Sequence, residues 1–151
     1  MVRDNLVLGA TAGVVATVVM DVLVPVARAL GFRVLSAWDA AAWVFLSRDL
    51  GGTASWLFVG WVAHLLAGGI AGTVLSYLFV LTGQRFALLK GLGLGGALWL
   101  FSLGVLLPAL GISPELRFNA AATIFGLVSL SVWGVVAAAL LAFYLRQEFR
   151  P

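Results

Sequence analysis

The chain has 151 residues, of which 63% are hydrophobic and only 10% charged. A soluble domain of this size carries roughly a quarter charged residues, so the composition argues against an ordinary soluble fold and for a membrane protein, with the lipid bilayer as its first partner. The net charge of +3 comes from nine basic residues scattered over the flanks of apolar segments; they form no basic face, so no nucleic-acid partner is expected. The 18 glycines fit membrane helices, and the absence of cysteine removes disulfides, thiolate metal sites and cysteine nucleophiles.

The first apolar run lies near Leu6–Leu30. It is longer than the roughly 7–15 residues of a signal-peptide core and contains Asp21, so it reads as a retained helix. The stretch Arg33–Gly52 is different. Ser36 fits an N-cap, with Asp39 three residues later in the acidic place of a capping box. Leu35, Trp38, Ala42, Phe45 and Leu46 then recur at helical spacing. With Trp38, Trp43, Arg48 and Asp49, residues 36–48 read as a short amphipathic helix at the membrane interface. An extra turn or two on the next helix is the alternative.

Three further apolar runs follow, near Ser55–Leu81, Ala87–Leu110 and Asn119–Leu145. A span takes about 20 residues. Helices are expected, because a span must satisfy its own backbone and these runs lack the period-2 alternation of barrel strands. Gly83-Gln84-Arg85 makes a tight turn between the second and third, and Gly111-Ile112-Ser113-Pro114 ends the third. The expected fold is therefore all-α: a polytopic membrane protein of four transmembrane helices in two αα-hairpins, plus the interfacial helix. Trp38, Trp43 and Trp56 read as interfacial anchors, while Trp61, Trp99 and Trp133 read as packing residues.

Flanking cations give an orientation. Arg3, Arg85, Lys90, Arg146 and Arg150 would share one side, whereas Arg28, Arg33, Arg48 and Arg117 are spread over longer loops on the other. The bias favours both termini in the cytoplasm, and Lys90 can snorkel to the headgroups there. A parallel internal repeat is a further expectation. Val22-Leu23-Val24-Pro25 recurs as Val105-Leu106-Leu107-Pro108, Asp39–Ala42 is echoed by Asn119–Ala122, and Gly60 with Val62-Ala63 matches Gly134 with Val136-Ala137. Such matches also arise easily in apolar sequence. In this alignment Gly104 stands for Asp21 and Ala138 for His64.

Asp21 and His64, the only histidine, lie deep within the first two runs. Ionisable residues within spans are costly and usually face the bundle interior. Asp21 lies nine residues before Leu30 and His64 nine after Ser55, which places both roughly 13 Å from one membrane face at 1.5 Å per residue. Ser102, Ser129 and Ser131 fall at similar depth, so all four helices can contribute to one polar layer. An Asp there should be protonated or paired with an imidazolium, and a shared proton would titrate with the pair. Such a layer can serve transport of a proton, ion or small solute. It can equally be a helix-tying hydrogen bond worth about 0.6–2 kcal/mol, as in a non-catalytic membrane subunit or scaffold.

One His and one Asp are too few for a zinc site, which usually wants four ligands. Haem ligation by His64 is the remaining cofactor reading; no cofactor or metal is expected. There is no Ser-His-Asp arrangement, no paired intramembrane carboxylates and no nucleotide fingerprint, so an enzyme is the least expected class. The Gly91–Gly96 cluster lacks the Gly-Lys-Ser/Thr ending of a phosphate loop. Gly9 and Gly13, Gly68 and Gly72, and Gly91 and Gly95 instead form small-xxx-small stripes for close helix approach. His64 lies four residues from both Gly60 and Gly68, and Asp21 continues the Gly13–Thr17 stripe, so both should face neighbouring helices. A homo-oligomer or a larger membrane complex is compatible with these faces.

At Ala16-Thr17-Val18-Val19-Met20-Asp21 and at Gly60-Trp61-Val62-Ala63-His64-Leu65-Leu66-Ala67-Gly68, the chain resembles small bacterial inner-membrane protein families to which no activity is assigned. Their patterns are Ala-Thr-x-x-Met-Asp and Gly-Trp-x-x-His-x-x-x-Gly. The resemblance covers the first two runs. It implies a four-helix protein of the bacterial cytoplasmic membrane and singles out Asp21 and His64.

Overall fold

The computed structural model describes residues 4–112 and 119–147, with side chains as far as Leu145. Arg3, Ser113, Pro114, Arg117, Arg150 and the side chain of Arg146 lie outside the described residues. The described chain is helical, with no strand.

Helix α1, Asn5–Asp21, starts where the Asp4 carboxylate accepts the Leu6 and Val7 amides at 3.1 and 3.2 Å. Pro25 has no N–H, which leaves the Asp21 carbonyl four residues back without its usual donor. The helix breaks at Val22 and resumes as α2, Leu23–Ala29. Gly31, at φ +84°, ends it, with its N–H on the Arg28 carbonyl and that of Phe32 on the Ala27 carbonyl.

Helix α3, Ala37–Phe45, is capped by Ser36, which accepts the Asp39 amide and donates to the Asp39 carboxylate. It ends three residues short of the expected Arg48. A 3-10 turn, Arg48–Leu50, separates it from α4, Ala54–Thr82, capped by Thr53. The segment is thus its own helix and no extension of α4.

Gly83 (φ +74°) and Phe86 (φ +60°) make the expected turn into α5, Ala87–Phe101. A π-helical turn, Ser102–Leu106, leads into α6, Leu107–Ala109. Pro108 explains it: proline withholds the donor for the Gly104 carbonyl, and the local answer is i→i+5 pairing, as from the Leu107 N–H to the Ser102 carbonyl. Helix α7, Ala120–Gln147, begins where Asn119 accepts the Ala122 amide. The stretches Asn5–Ala29, Ala54–Thr82, Ala87–Ala109 and Ala120–Leu145 are each long and apolar enough to cross a membrane.

Helix α1 packs against α4, α5 against α7, and α1 against α7; α4 and α5 scarcely touch. Glycine sets the first two contacts. A Cβ on Gly13 would overlap the Gly68 carbonyl, one on Gly72 the Gly9 carbonyl, and one on Gly68 the Thr17 hydroxyl. Likewise Gly91 faces the Gly134 carbonyl and Gly95 that of Leu130. All six stripe glycines therefore sit at backbone-to-backbone approaches. Both pairs run antiparallel, since rising numbers on one helix meet falling numbers on the other.

At the end of the bundle carrying residues 4, 83 and 147, the helices converge on a core of Ala12, Leu75, Phe79, Ala138, Leu141 and Leu145. Lys90 ties this end, its Nζ donating to the carbonyls of Thr82 (3.1 Å) and Gly83 (2.7 Å), a cation on the C-terminal carbonyls of α4. At the opposite, loop end the helices splay. There α3 lies on α4 through a Trp38–Trp61 stack with centroids 4.9 Å apart, and through Ala42 against Gly60. Trp56, expected as an interfacial anchor, lies at the loop end but is buried, and its Nε1 donates to Asp39 Oδ1 at 2.8 Å. Asp39 also meets Arg28 at 3.7 Å.

The repeat-equivalent positions have different surroundings. Gly60 packs on α3 whereas Gly134 packs on α5, and Asp39–Ala42 lie in the short helix whereas Asn119–Ala122 open a long one.

Candidate functional site

The splayed loop end holds a half-open chamber of about 900 Å³ between α1, α3, α4, α5 and α7. Its walls are apolar, and among the described residues its polar side chains are few: Thr17, Asp21, Ser36, His64, Ser102 and Ser129. Helix α3 lies over its outer end. Between α4 and α5 the rims carry Leu66, Ile70, Phe101 and Leu106, all exposed.

Asp21 and His64 come together on this wall. His64 Nε2 lies 3.0 Å from Asp21 Oδ1, and the two side chains are 11% and 6% exposed. The pair continues the α1–α4 contact by one helical turn from Thr17 and Gly68, the reason both residues face inward. Asp21 Oδ2 is buried and has no hydrogen-bond partner among the described residues.

The seam between α1 and α7 is fixed by Trp133. Its buried indole Nε1–H lies 3.1 Å from both the Gly13 carbonyl and Thr17 Oγ1, while the Thr17 hydroxyl donates to the Gly13 carbonyl at 2.9 Å. This register carries Ser129 to the level of Asp21, because each lies one turn toward the loop end from the Trp133–Thr17 contact. Ser129 Oγ is likewise buried without a partner among the described residues.

The other two serines of the expected layer are placed differently. Ser102 lines the chamber but spends its hydroxyl on the Leu98 carbonyl at 2.7 Å. Trp99 and Leu103 flank Gly126, so Ser102 stands nearer the loop end than Ser129. Ser131 does not line the chamber; its Cα lies against Gly95 in the α5–α7 contact. The site is therefore Asp21, His64 and Ser129, with Thr17 and Trp133 beneath them. Sequence reading passed over Thr17 and Trp133 as polar partners. The Thr17 signal was its place one turn before Asp21, while Trp133 had no local one.

Among the described residues, no three His, Cys, Asp or Glu side chains converge as metal ligands. The two-ligand set is chemically suited to holding a proton between an imidazole and a carboxylate, and to offering one further carboxylate oxygen to a guest. Compared with protein-family models, curated proteins and solved structures, the chain matches none.

Proposed function

We propose that this is a small integral membrane protein whose four long helices cross the bilayer, and that it takes a small solute into the chamber and moves it together with a proton held by Asp21 and His64. One observation carries the reading: Asp21 Oδ2 and Ser129 Oγ are buried on the chamber wall with no partner among the described residues. Buried carboxylate oxygens are normally hydrogen-bonded, so an unserved one in the wall of a cavity is what a guest donor would satisfy. A continuous ion path is the less supported form of transport, because the chamber walls are apolar and the glycine contacts and the core close the other end. A bacterial inner membrane, with the Arg85–Lys90 end cytoplasmic, remains part of the proposal on the charge bias and the resemblance.

The test is proton movement. In proteoliposomes enclosing a pH-sensitive dye, with a mixed panel of small solutes supplied outside, the wild type should dissipate an imposed pH step several-fold faster than Asp21→Asn or His64→Ala. Equal rates, with lowered thermal stability of His64→Ala, would leave the structural reading. That second reading is favoured by the way the 3.0 Å bond extends the glycine contact of α1 and α4.

A further inference from the structure

The two unserved atoms define what the chamber should hold. Asp21 is 6% exposed and Ser129 8%, and both atoms lack a partner among the described residues. A buried acceptor left without a donor is unfavourable, and more so when charged. Among the described residues, Asp21 is the only acidic one lining the chamber, and no Lys or Arg lines it. One oxygen of this carboxylate is already on His64, and the other is buried in the chamber wall with no donor among the described residues.

We propose that the chamber binds a lipophilic amine, with its ammonium on Asp21 Oδ2 and a second N–H donated to Ser129 Oγ. This rests on the solute-binding reading above and names its ligand class. An ammonium supplies three donors and no acceptor, which matches one carboxylate oxygen and one hydroxyl. An alcohol brings a single donor, and a fatty acid brings a like charge. The size is that of a small-molecule pocket, about 300–1,000 Å³. The apolar body lies along Val62, Leu66 and Leu106. Admission is sideways, through the gap between α4 and α5, because α3 covers the outer end and the rims of the gap are exposed aliphatic and aromatic side chains. Protein-facing hydrocarbon, rather than bulk water, is then the reservoir of the ligand.

Equilibrium binding of radiolabelled decylamine, decanol and decanoate to the full chain in phosphatidylcholine nanodiscs, with empty nanodiscs as background, tests this. Decylamine should bind saturably and at least tenfold more tightly than decanol, and decanoate should not bind. Asp21→Asn should bring the amine down to the alcohol, and Ala67→Trp, which fills the chamber from its wall, should abolish both. If Asp21→Asn does not fold, Ser129→Ala should still lower the amine preference several-fold. Equal binding of amine and alcohol overturns the amine assignment while leaving a solute chamber. Absence of saturable binding by all three overturns the proposal, with water then serving the two atoms. Amine binding without proton flux would remove transport and leave the ligand site standing.

Discussion

At the scale of single residues, threonine hydroxyls of the helices turn to their own backbone, whereas the buried Ser129 hydroxyl finds no partner among the described residues. Thr11, Thr73, Thr82 and Thr123 each donate to the carbonyl four residues back. Thr17 does so too, and its oxygen also accepts from Trp133, which makes it part of a seam. Trp133→Phe deletes the donor and trims the buried indole to a single ring, so the loss should be about 1–3 kcal/mol, read as a lower unfolding temperature in nanodiscs. An unchanged temperature would mean that ring packing alone holds the seam. Depth along a helix was legible by counting, and the 3.0 Å approach of Asp21 and His64 lies where two counts of nine put it. Direction around the helix was not. Ser129 and Ser131 differ by two positions, about 200° of rotation at 3.6 residues per turn, so one meets the chamber and the other α5.

At the scale of elements, helix existence could be read from apolar length, and the starts at Ser36 and Asn119 from capping chemistry. The interruptions could not be read as readily. Pro25 and Pro108 are plain in the sequence, yet one produces a break at Val22 and the other a π turn; the choice depends on which neighbours hold the flanking turns. Small-xxx-small spacing picked out Gly91 and Gly95 from the open Gly93 and Gly96, but it did not mark Gly60 and Gly134, whose Cβ atoms would also overlap a neighbouring carbonyl. Gly13→Ala and Gly91→Ala should each destabilise by about 1–3 kcal/mol through forced separation of backbones. Gly93→Ala and Gly96→Ala, with nothing within 4 Å, should be neutral or stabilising by up to about 1 kcal/mol. Thermal unfolding of the four variants in one lipid composition checks the contrast, and equal effects would mean that the contacts are not limiting.

At the scale of the whole molecule, the bundle is closed at one end and open at the other. The native absence of cysteine makes this directly measurable. Ala63→Cys, on the chamber wall, should react readily with a lipid-soluble maleimide in proteoliposomes. Ala12→Cys, in the core at 2% exposure, should be protected unless the protein is unfolded. Similar labelling of both would mean that the core end is as loose as the chamber. The seam that joins the two antiparallel pairs was beyond sequence reading, since the Trp133–Thr17 bond joins residues 116 apart.

The Lys90 tie and the Gly83 turn have a mechanical consequence. They hold α4 and α5 together at one end only, which makes those two helices levers about a common fulcrum. Ser102 lies twelve residues beyond Lys90, about 18 Å along the axis at 1.5 Å per residue. A tilt of about 10° at the fulcrum therefore shifts the far wall by about 3 Å, nearly the thickness of an alkyl chain, while barely disturbing the carbonyls gripped by Lys90. A change in the width of the aperture therefore leaves each lever on its own glycine contact, α4 on α1 and α5 on α7.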